Sequence, residues 1–367
     1  MPYNIININE LDSPALVVFP DLVKRNIKTA LEMVGEVSRF RPHIKTHKTI
    51  EVIQLCQELG IQKYKCATIA EAELLGICKA QDVLLAYQPI GKKTERLANL
   101  IEKYPQTKYS CLIDNEAVAN DLSKIGKKKG LIFEVFIDLN TGMNRTGIVP
   151  EKAVDLSEAI QSLSNLKLLG LHCYDGNIRE RDLSERKKSC DQSFLQIENL
   201  ETELAEKGFS KLKIIIGGSP TYPIHAKRQK VECSPGTFVF WDKGYREICP
   251  EQDFTPAALL ITRIISLPNS TKICTDLGHK SVAAENELAR RVHFINAPEL
   301  KFIGQSEEHL VLEAPEGHSY KVGDVLLGMP IHICPTVALH ERMYVVENEQ
   351  LTGSEWKVLA RDRVINI

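Results

Sequence analysis

The chain has 367 residues, with 46 lysines and arginines against 48 aspartates and glutamates and a net charge of −2. That length allows about two domains at roughly 150 residues each, and 43% hydrophobic with 26% charged residues is an ordinary soluble globular composition. The balanced charge gives no electrostatic reason to expect nucleic acid or an anionic membrane as partner. No apolar run approaches the roughly 20 residues that span a bilayer, and the N-terminal MPYNIININELDSP lacks the basic and apolar regions of a signal peptide. A cytoplasmic protein is expected. Ten cysteines are scattered from 56 to 334 with no CxxC spacing, which reads as reduced thiols used for packing rather than a disulfide framework.

An amphipathic segment over 21–34 comes first. From 38 to 240, β-branched runs then alternate with amphipathic ones. Strands are predicted over 38–45, 64–68, 83–86, 109–113, 132–138, 166–172, 212–216 and 231–240. Helices are predicted over 49–59, 70–79, 92–103, 115–127, 151–163 and 180–207, with a short one after Pro223. Thr49 and Asp114 are candidate N-caps, and Pro150 lies near a first turn. Repeated strand–helix units imply parallel strands with right-handed crossovers, and eight of them in about 200 residues fit a (β/α)8 TIM-type barrel. A doubly wound open sheet competes with it, but the GxGxxG fingerprint is absent near the first strand. After about residue 245 the runs become short and strand-like (255–267, 271–276, 292–295, 308–313, 325–329, 343–347), predicting a C-terminal all-β domain. The expected division is a barrel over 12–244 and a β-domain over 245–367, with 1–11 a candidate addition to the latter.

In such a barrel, functional residues gather at the C-terminal ends of the strands. Lys45 ends the first predicted strand, Asn140 to Arg145 follow the fifth, and His172 and Tyr174 close the sixth. Gly217-Gly218-Ser219-Pro220-Thr221 follows the seventh, and Ser234-Pro235-Gly236-Thr237 falls within the eighth. Two glycines, two hydroxyls and a following helix suit a phosphate cradle, although the same residues also make an ordinary tight turn. A lysine facing such a cradle across the barrel mouth suggests a Schiff-base lysine for pyridoxal 5'-phosphate (PLP). Near the C-terminus, His332-Ile333-Cys334 read as a strand turns imidazole and thiol to one face. They suit zinc or a similar soft metal, with a buried cysteine beside a satisfied histidine as the alternative.

Together these segments resemble a family. Arg41-Pro42-His43-Ile44-Lys45-Thr46-His47-Lys48 is similar to the PLP-lysine motif of the D-threonine aldolase and D-serine dehydratase group, metal-activated members of the fold-type III, alanine-racemase-like PLP enzymes. Gly142-Met143-Asn144-Arg145-Thr146-Gly147, His172-Cys173-Tyr174-Asp175-Gly176, Gly217 to Thr221, Pro235-Gly236-Thr237 and Pro330 to Thr336 also match in order and spacing. The resemblance implies that Lys45 carries PLP, and that Gly217, Gly218, Ser219 and Thr221 bind phosphate. It implies that Arg145, His172 and Tyr174 line the pocket, and that His332 and Cys334 ligate a divalent metal (zinc, or manganese or magnesium). Asn177 stands where the group commonly has histidine. The implied activity is a lyase acting on D-β-hydroxy amino acids, first D-threonine-aldolase-like, alternatively a D-serine dehydratase, and third a racemase, in which the His-x-Cys pair has no role. The resemblance also implies a homodimer.

Overall fold

The computed structural model describes residues 3–367. Two compact units are formed: one from Thr29–Lys45, Ile53–Gly236 and Asp362–Ile367, the other from Met1–Lys28, Thr46–Val52 and Thr237–Arg361. In chain order, β1 (Ala15–Val18), α1 (Pro20–Val34) and α2 (Ile50–Glu58) come first. Alternation follows with β2 (Lys63–Cys66), α3 (Ile69–Ile77), β3 (Asp82–Leu85), α4 (Lys92–Lys103), β4 (Lys108–Ile113) and α5 (Glu116–Lys129). It continues with β5 (Phe133–Leu139), α6 (Ala153–Gln161), β6 (Leu166–Cys173), α7 (Leu183–Glu206), β7 (Lys213–Ile216), α8 (Tyr222–His225) and β8 (Val231–Cys233). The hydrophobic periods foretell nearly all of this. Helix α4 shows why: Leu97, Ala98 and Leu100 are buried on one face, while Lys103 complements the negative C-terminal end. The cap of α5 is Asn115, whose side chain accepts from the Val118 N–H, one residue beyond the predicted Asp114.

Strands β2 to β8 form one parallel sheet in sequential order, with Leu84, Leu112, Phe136 and Ile215 packed together as its interior. The predicted strand over 38–45 is reduced to two bridges, Phe40 with Cys233 of β8 and His43 with Lys65 of β2. Pro42 has no N–H to donate, so no continuous ladder runs through it. Because the bridges reach opposite neighbours, this segment is the eighth stave and closes the (β/α)8 barrel. An open doubly wound sheet is thereby excluded. The predicted strand over 231–240 likewise stops at Cys233, where Pro235 and Gly236 intervene, and Thr237–Val239 turns as a 3-10 helix.

What holds the stave in place is charge. Arg41 is fully buried; Nη1 and Nη2 donate to the two oxygens of Asp82 at 2.7 and 2.9 Å, and Nε donates to Glu232 at 2.7 Å. Asp82 opens β3 and Glu232 lies in β8, so one planar fork reaches the adjoining stave β8 on one side and, past β2, the stave β3 on the other. Burial pushes the Asp82 carboxyl up, but the Arg41 hydrogen bonds and charge hold it below its ordinary value.

The second unit adds α9 (Lys243–Ile248), β9 (Ala258–Ser266), β10 (Lys272–Thr275), β11 (Val292–Phe294), β12 (Lys301–Gln305), β13 (Leu310–Glu313), β14 (Val325–Pro330), α10 (Ile333–Leu339), β15 (Arg342–Glu347) and β16 (Gln350–Lys357). Among the described residues its sheet has nine strands in the order β12-β13-β10-β9-β1-β15-β16, with β14 joining β9 and β11. Strand β1 runs antiparallel to β9 and parallel to β15. The sequence reading missed β1, β12, β16, α9 and α10. Pro335 hid α10, yet it falls in the first turn, where a missing N–H costs nothing. Among the described residues no helix is long and apolar enough to cross a membrane.

Replacing Arg41 by glutamine leaves the partly buried Asp82 without its cation, while Glu232 keeps only Lys63. A loss of about 3–5 kcal/mol is expected in urea denaturation at neutral pH. The Asp82 contribution is present above about pH 4 and is lost as pH falls through its lowered folded value. The wild-type and Arg41→Gln stabilities should therefore converge in acid.

Candidate active site

The C-terminal ends of the barrel strands surround a cavity of about 390 Å³ whose lining includes Lys45, Lys65, Asp138, Arg145, His172 and Tyr174. Lys45 sits in a 3-10 turn, Ile44–Thr46, and its backbone N–H donates to His43 Nδ1 at 3.1 Å. Arg145 is presented by a closed loop: Asn140 Oδ1 accepts from the N–H groups of Gly142 and Asn144 at 3.2 and 3.0 Å, and Asn140 N–H donates to Ile148 O at 2.9 Å. Gly147 (φ +98°) is needed for that closure, since a Cβ there would lie 2.8 Å from Asn140 N. The Tyr174 ring centroid lies 5.8 Å from Lys45 Nζ and 4.9 Å from Arg145 Cζ.

His172, at the end of β6, has Nδ1 2.8 Å from Asp138 Oδ1. Burial holds the imidazole below its ordinary pKa, so this is a neutral ring donating Nδ1–H to a carboxylate, which also accepts from Gln88 at 3.0 Å. Burial alone would raise the Asp138 carboxyl, but the His172 hydrogen bond leads the interactions that bring it below its usual range. Among the described residues His172 Nε2 is buried without a hydrogen-bond partner, an acceptor awaiting a donor.

The Gly-Gly-Ser-Pro-Thr turn is held from behind. Gly217 N–H donates to Cys173 O at 3.0 Å and Gly218 N–H to Thr221 Oγ1 at 3.1 Å. The Thr221 hydroxyl donates to Asp175 Oδ1 at 2.8 Å, while Asp175 Oδ2 is 2.7 Å from His225 Nε2. Arg228 Nε donates to His225 Nδ1 at 3.3 Å, which leaves the proton on Nε2 for Asp175. These two glycine amides and Thr221 thus shape the turn. Beside it, Ser234 N–H donates to Ile216 O at 3.2 Å, and among the described residues the buried Ser234 hydroxyl has no hydrogen-bond partner. With Ser219 also buried on the turn, an oxygen-rich anion such as a phosphate fits here. Asp175, Cys190 and His225 bring potential metal-ligand atoms within 4.8 Å of one another. However, both Asp175 oxygens and both His225 nitrogens are already hydrogen-bonded, and burial pushes the Cys190 thiol up to about 12. The trio braces the turn.

In the other unit, His332 and Cys334 do not share a strand. His332 is the extended N-cap of α10 and Cys334 lies in its first turn, yet a side-chain hydrogen bond still joins them. His332 Nδ1 is 2.6 Å from Glu285 Oε1, the orientation that reserves Nε2 for a metal. Burial opposes its charge, but the Cys334 sulfur, then Glu285 and Asp242, carry the imidazolium up to about 9. Cys334 Sγ lies 3.1 Å from Thr46 Oγ1, and Asp242 Oδ2 accepts the Ile333 N–H at 3.1 Å. An imidazole and a thiol with an acidic orienting partner fit a soft divalent ion in place of the shared proton.

Sequence reasoning named Ser234 among the barrel-mouth candidates but missed Lys65, Asp138 and Glu285 as parts of these sites. Asp138 carried a signal, since it ends a predicted barrel strand. Glu285 carried none, because it sits in an irregular segment far in sequence from His332.

The chain matches the alanine racemase N-terminal domain over residues 20–243 and the serine dehydratase domain over 257–346. It is 26% identical over 370 residues to a 3-hydroxy-D-aspartate aldolase of Paracoccus denitrificans, covering 97% of this chain and 93% of that one. It is 24% identical over 360 residues to a D-threo-3-hydroxyaspartate dehydratase of Delftia sp., covering 89% and 92%. The crystal structure of D-threonine aldolase from Filomicrobium marinum superposes with a TM-score of 0.89 at 25% identity, covering 97% of each chain. With more than half its length matched and the barrel, β-domain and lysine-bearing mouth in place, the chain belongs to the alanine-racemase-like family of PLP enzymes.

Proposed function

We propose that the chain is a PLP-dependent, divalent-metal-activated lyase that cleaves D-β-hydroxy amino acids of the threonine type to glycine and an aldehyde. The observation that carries this reading is one chain holding both a barrel-mouth lysine beside unpartnered buried acceptors and a His332–Cys334 donor pair. Lys45 would hold PLP, with Arg145, His172 and Tyr174 around it and Ser219 and Ser234 toward its phosphate. When bound, PLP supplies a sink for the electron pair left at Cα, and a metal on His332 and Cys334 supplies a Lewis acid for the β-oxygen. The β-hydroxyl gives up its proton as the Cα–Cβ bond breaks to release the aldehyde, and the Lys45 amine would deliver a proton to Cα to complete glycine. Asp138 fixes His172 as a neutral acceptor through Nδ1–H, and the Tyr174 ring lines the cavity near Lys45 and Arg145. The relatives' substrates, D-threonine and hydroxyaspartates, support the class. A homodimer belongs to the same reading.

A second reading, dehydration of D-serine to pyruvate and ammonia, is favoured by Cys334. A metal-free form of the Delftia dehydratase carries a substituted cysteine, two positions beyond a histidine replaced in another variant. In that outcome Lys45 removes the Cα proton instead.

Incubation with D-threonine and with D-serine decides between them: glycine plus acetaldehyde marks the first, pyruvate plus ammonia the second. Chelator treatment is expected to abolish either activity. Lys45→Ala should abolish the visible cofactor absorbance and lower turnover by about 10² or more; a colourless wild type would sink the PLP reading. Ser234→Ala separates binding from stability. Removing an unsatisfied buried hydroxyl should leave the cofactor-free protein as stable or about 1 kcal/mol more stable, while PLP affinity falls about tenfold by absorbance titration. Glu285→Ala should weaken zinc binding about 10–100-fold in competition with a chromophoric chelator.

A further inference from the structure

Charge around the barrel mouth does not balance. Three basic side chains surround the Tyr174 ring: Lys45 Nζ and Lys65 Nζ each 5.8 Å and Arg145 Cζ 4.9 Å from its centroid. The nearby carboxylates are committed elsewhere, Asp138 to His172 and Gln88 and Asp175 to Thr221 and His225. Lys65 is the anomaly. Lys45 and Arg145 reach solvent, whereas Lys65 is only 2% exposed. It pairs in register with Leu84 of the barrel interior and lines the cavity. Its backbone N–H donates to Pro42 O at 2.9 Å, but among the described residues its amine has no hydrogen bond or ion pair, only the distant Tyr174 ring. Interior positions of such barrels are filled by branched apolar side chains, and a buried unpaired amine costs stability. An anion entering the cavity offsets that cost.

We propose that Lys65 is an anion-recognition residue of this cavity, whose amine takes up a proton when an anionic oxygen enters beside it.

The surroundings set the sign. Burial and then the Lys45 charge lower the Lys65 amine to about 7, with Asp175 and Asp138 opposing and Arg41 adding to the effect; His43, Tyr87, Arg145, His172 and Tyr174 complete the titratable and charged groups lining the cavity. At pH 8 such an amine is about 0.9 of a proton short of full charge. An anionic oxygen within hydrogen-bond reach favours the ammonium, so ligand binding draws in that proton. The oxygen can come from PLP or from a carboxylate of the amino-acid substrate. Only the identity of the ligand rests on the function proposed above.

Calorimetric titration at pH 8, in buffers of low and high ionisation enthalpy, counts the protons taken up. One arm adds PLP to protein freed of cofactor, and the other adds malonate to the protein as purified. Wild type is expected to take up about 0.9 proton more than Lys65→Arg in at least one arm. Lys65→Arg should keep affinity within about threefold, whereas Lys65→Met loses about tenfold or more. Lys65→Arg also keeps the test decisive if Lys65→Met fails to fold. An excess confined to the PLP arm assigns the oxygen to the cofactor; an excess with malonate assigns it to a substrate carboxylate. No difference between wild type and Lys65→Arg in either arm, or no binding of either probe, overturns the proposal. A malonate-linked excess in a protein that does not bind PLP would instead refute the PLP reading and leave Lys65 standing.

Discussion

One buried guanidinium makes the barrel mouth possible. The stave that carries Lys45 has Pro42 at its centre and forms only two bridges to its neighbours, too few for a ladder to fix it. Arg41 supplies the missing attachment through three short hydrogen bonds to Asp82 and Glu232. Desolvating a guanidinium is costly, and only its two carboxylate partners make it tolerable. The gain is positional: the chain leaves Arg41 at a fixed place between β8 and β2, and Lys45 follows four residues later. Sequence motifs around active-site lysines are usually read as chemistry, but here the arginine of the motif is architecture.

Around that lysine, the barrel holds polar groups in fixed protonation states rather than leaving them to solvent. His172 is kept neutral by burial and oriented by Asp138. The Gly217–Gly218 turn is shaped by the chain running from Arg228 through His225 and Asp175 to Thr221. Pre-set dipoles of this kind need little reorganisation when a charged ligand arrives. The metal-type donors of the other unit follow the same logic, with Glu285 turning the imidazole and Asp242 anchoring the start of α10.

Much of this was legible in the sequence, for identifiable reasons. The strand–helix period is strong because parallel strands are buried on both faces and their helices on one. The lysine, the glycine turn and the His-x-Cys pair stood out because few other residues serve those roles. The eighth stave was read as a regular strand because its apolar pattern outweighs Pro42 locally. The strand reading of His332 to Cys334 failed because Pro335 argues against a helix unless its place in the first turn is known. Lys65 was invisible for a different reason. A lysine in Lys-Tyr-Lys-Cys reads as the solvent side of an alternating strand, and only the register with Leu84 turns it inward.

Strand β1 carries a consequence for how the chain comes to be folded. It is made of residues Ala15–Val18, yet its partners are β9 and β15, which begin at Ala258 and Arg342. Strand β1 therefore waits, unpaired and entirely apolar, while more than two hundred further residues are synthesised. The sheet around it cannot close until β15 has been made, so segments far apart in sequence depend on each other in a way the barrel strands, each beside its sequence neighbour, do not.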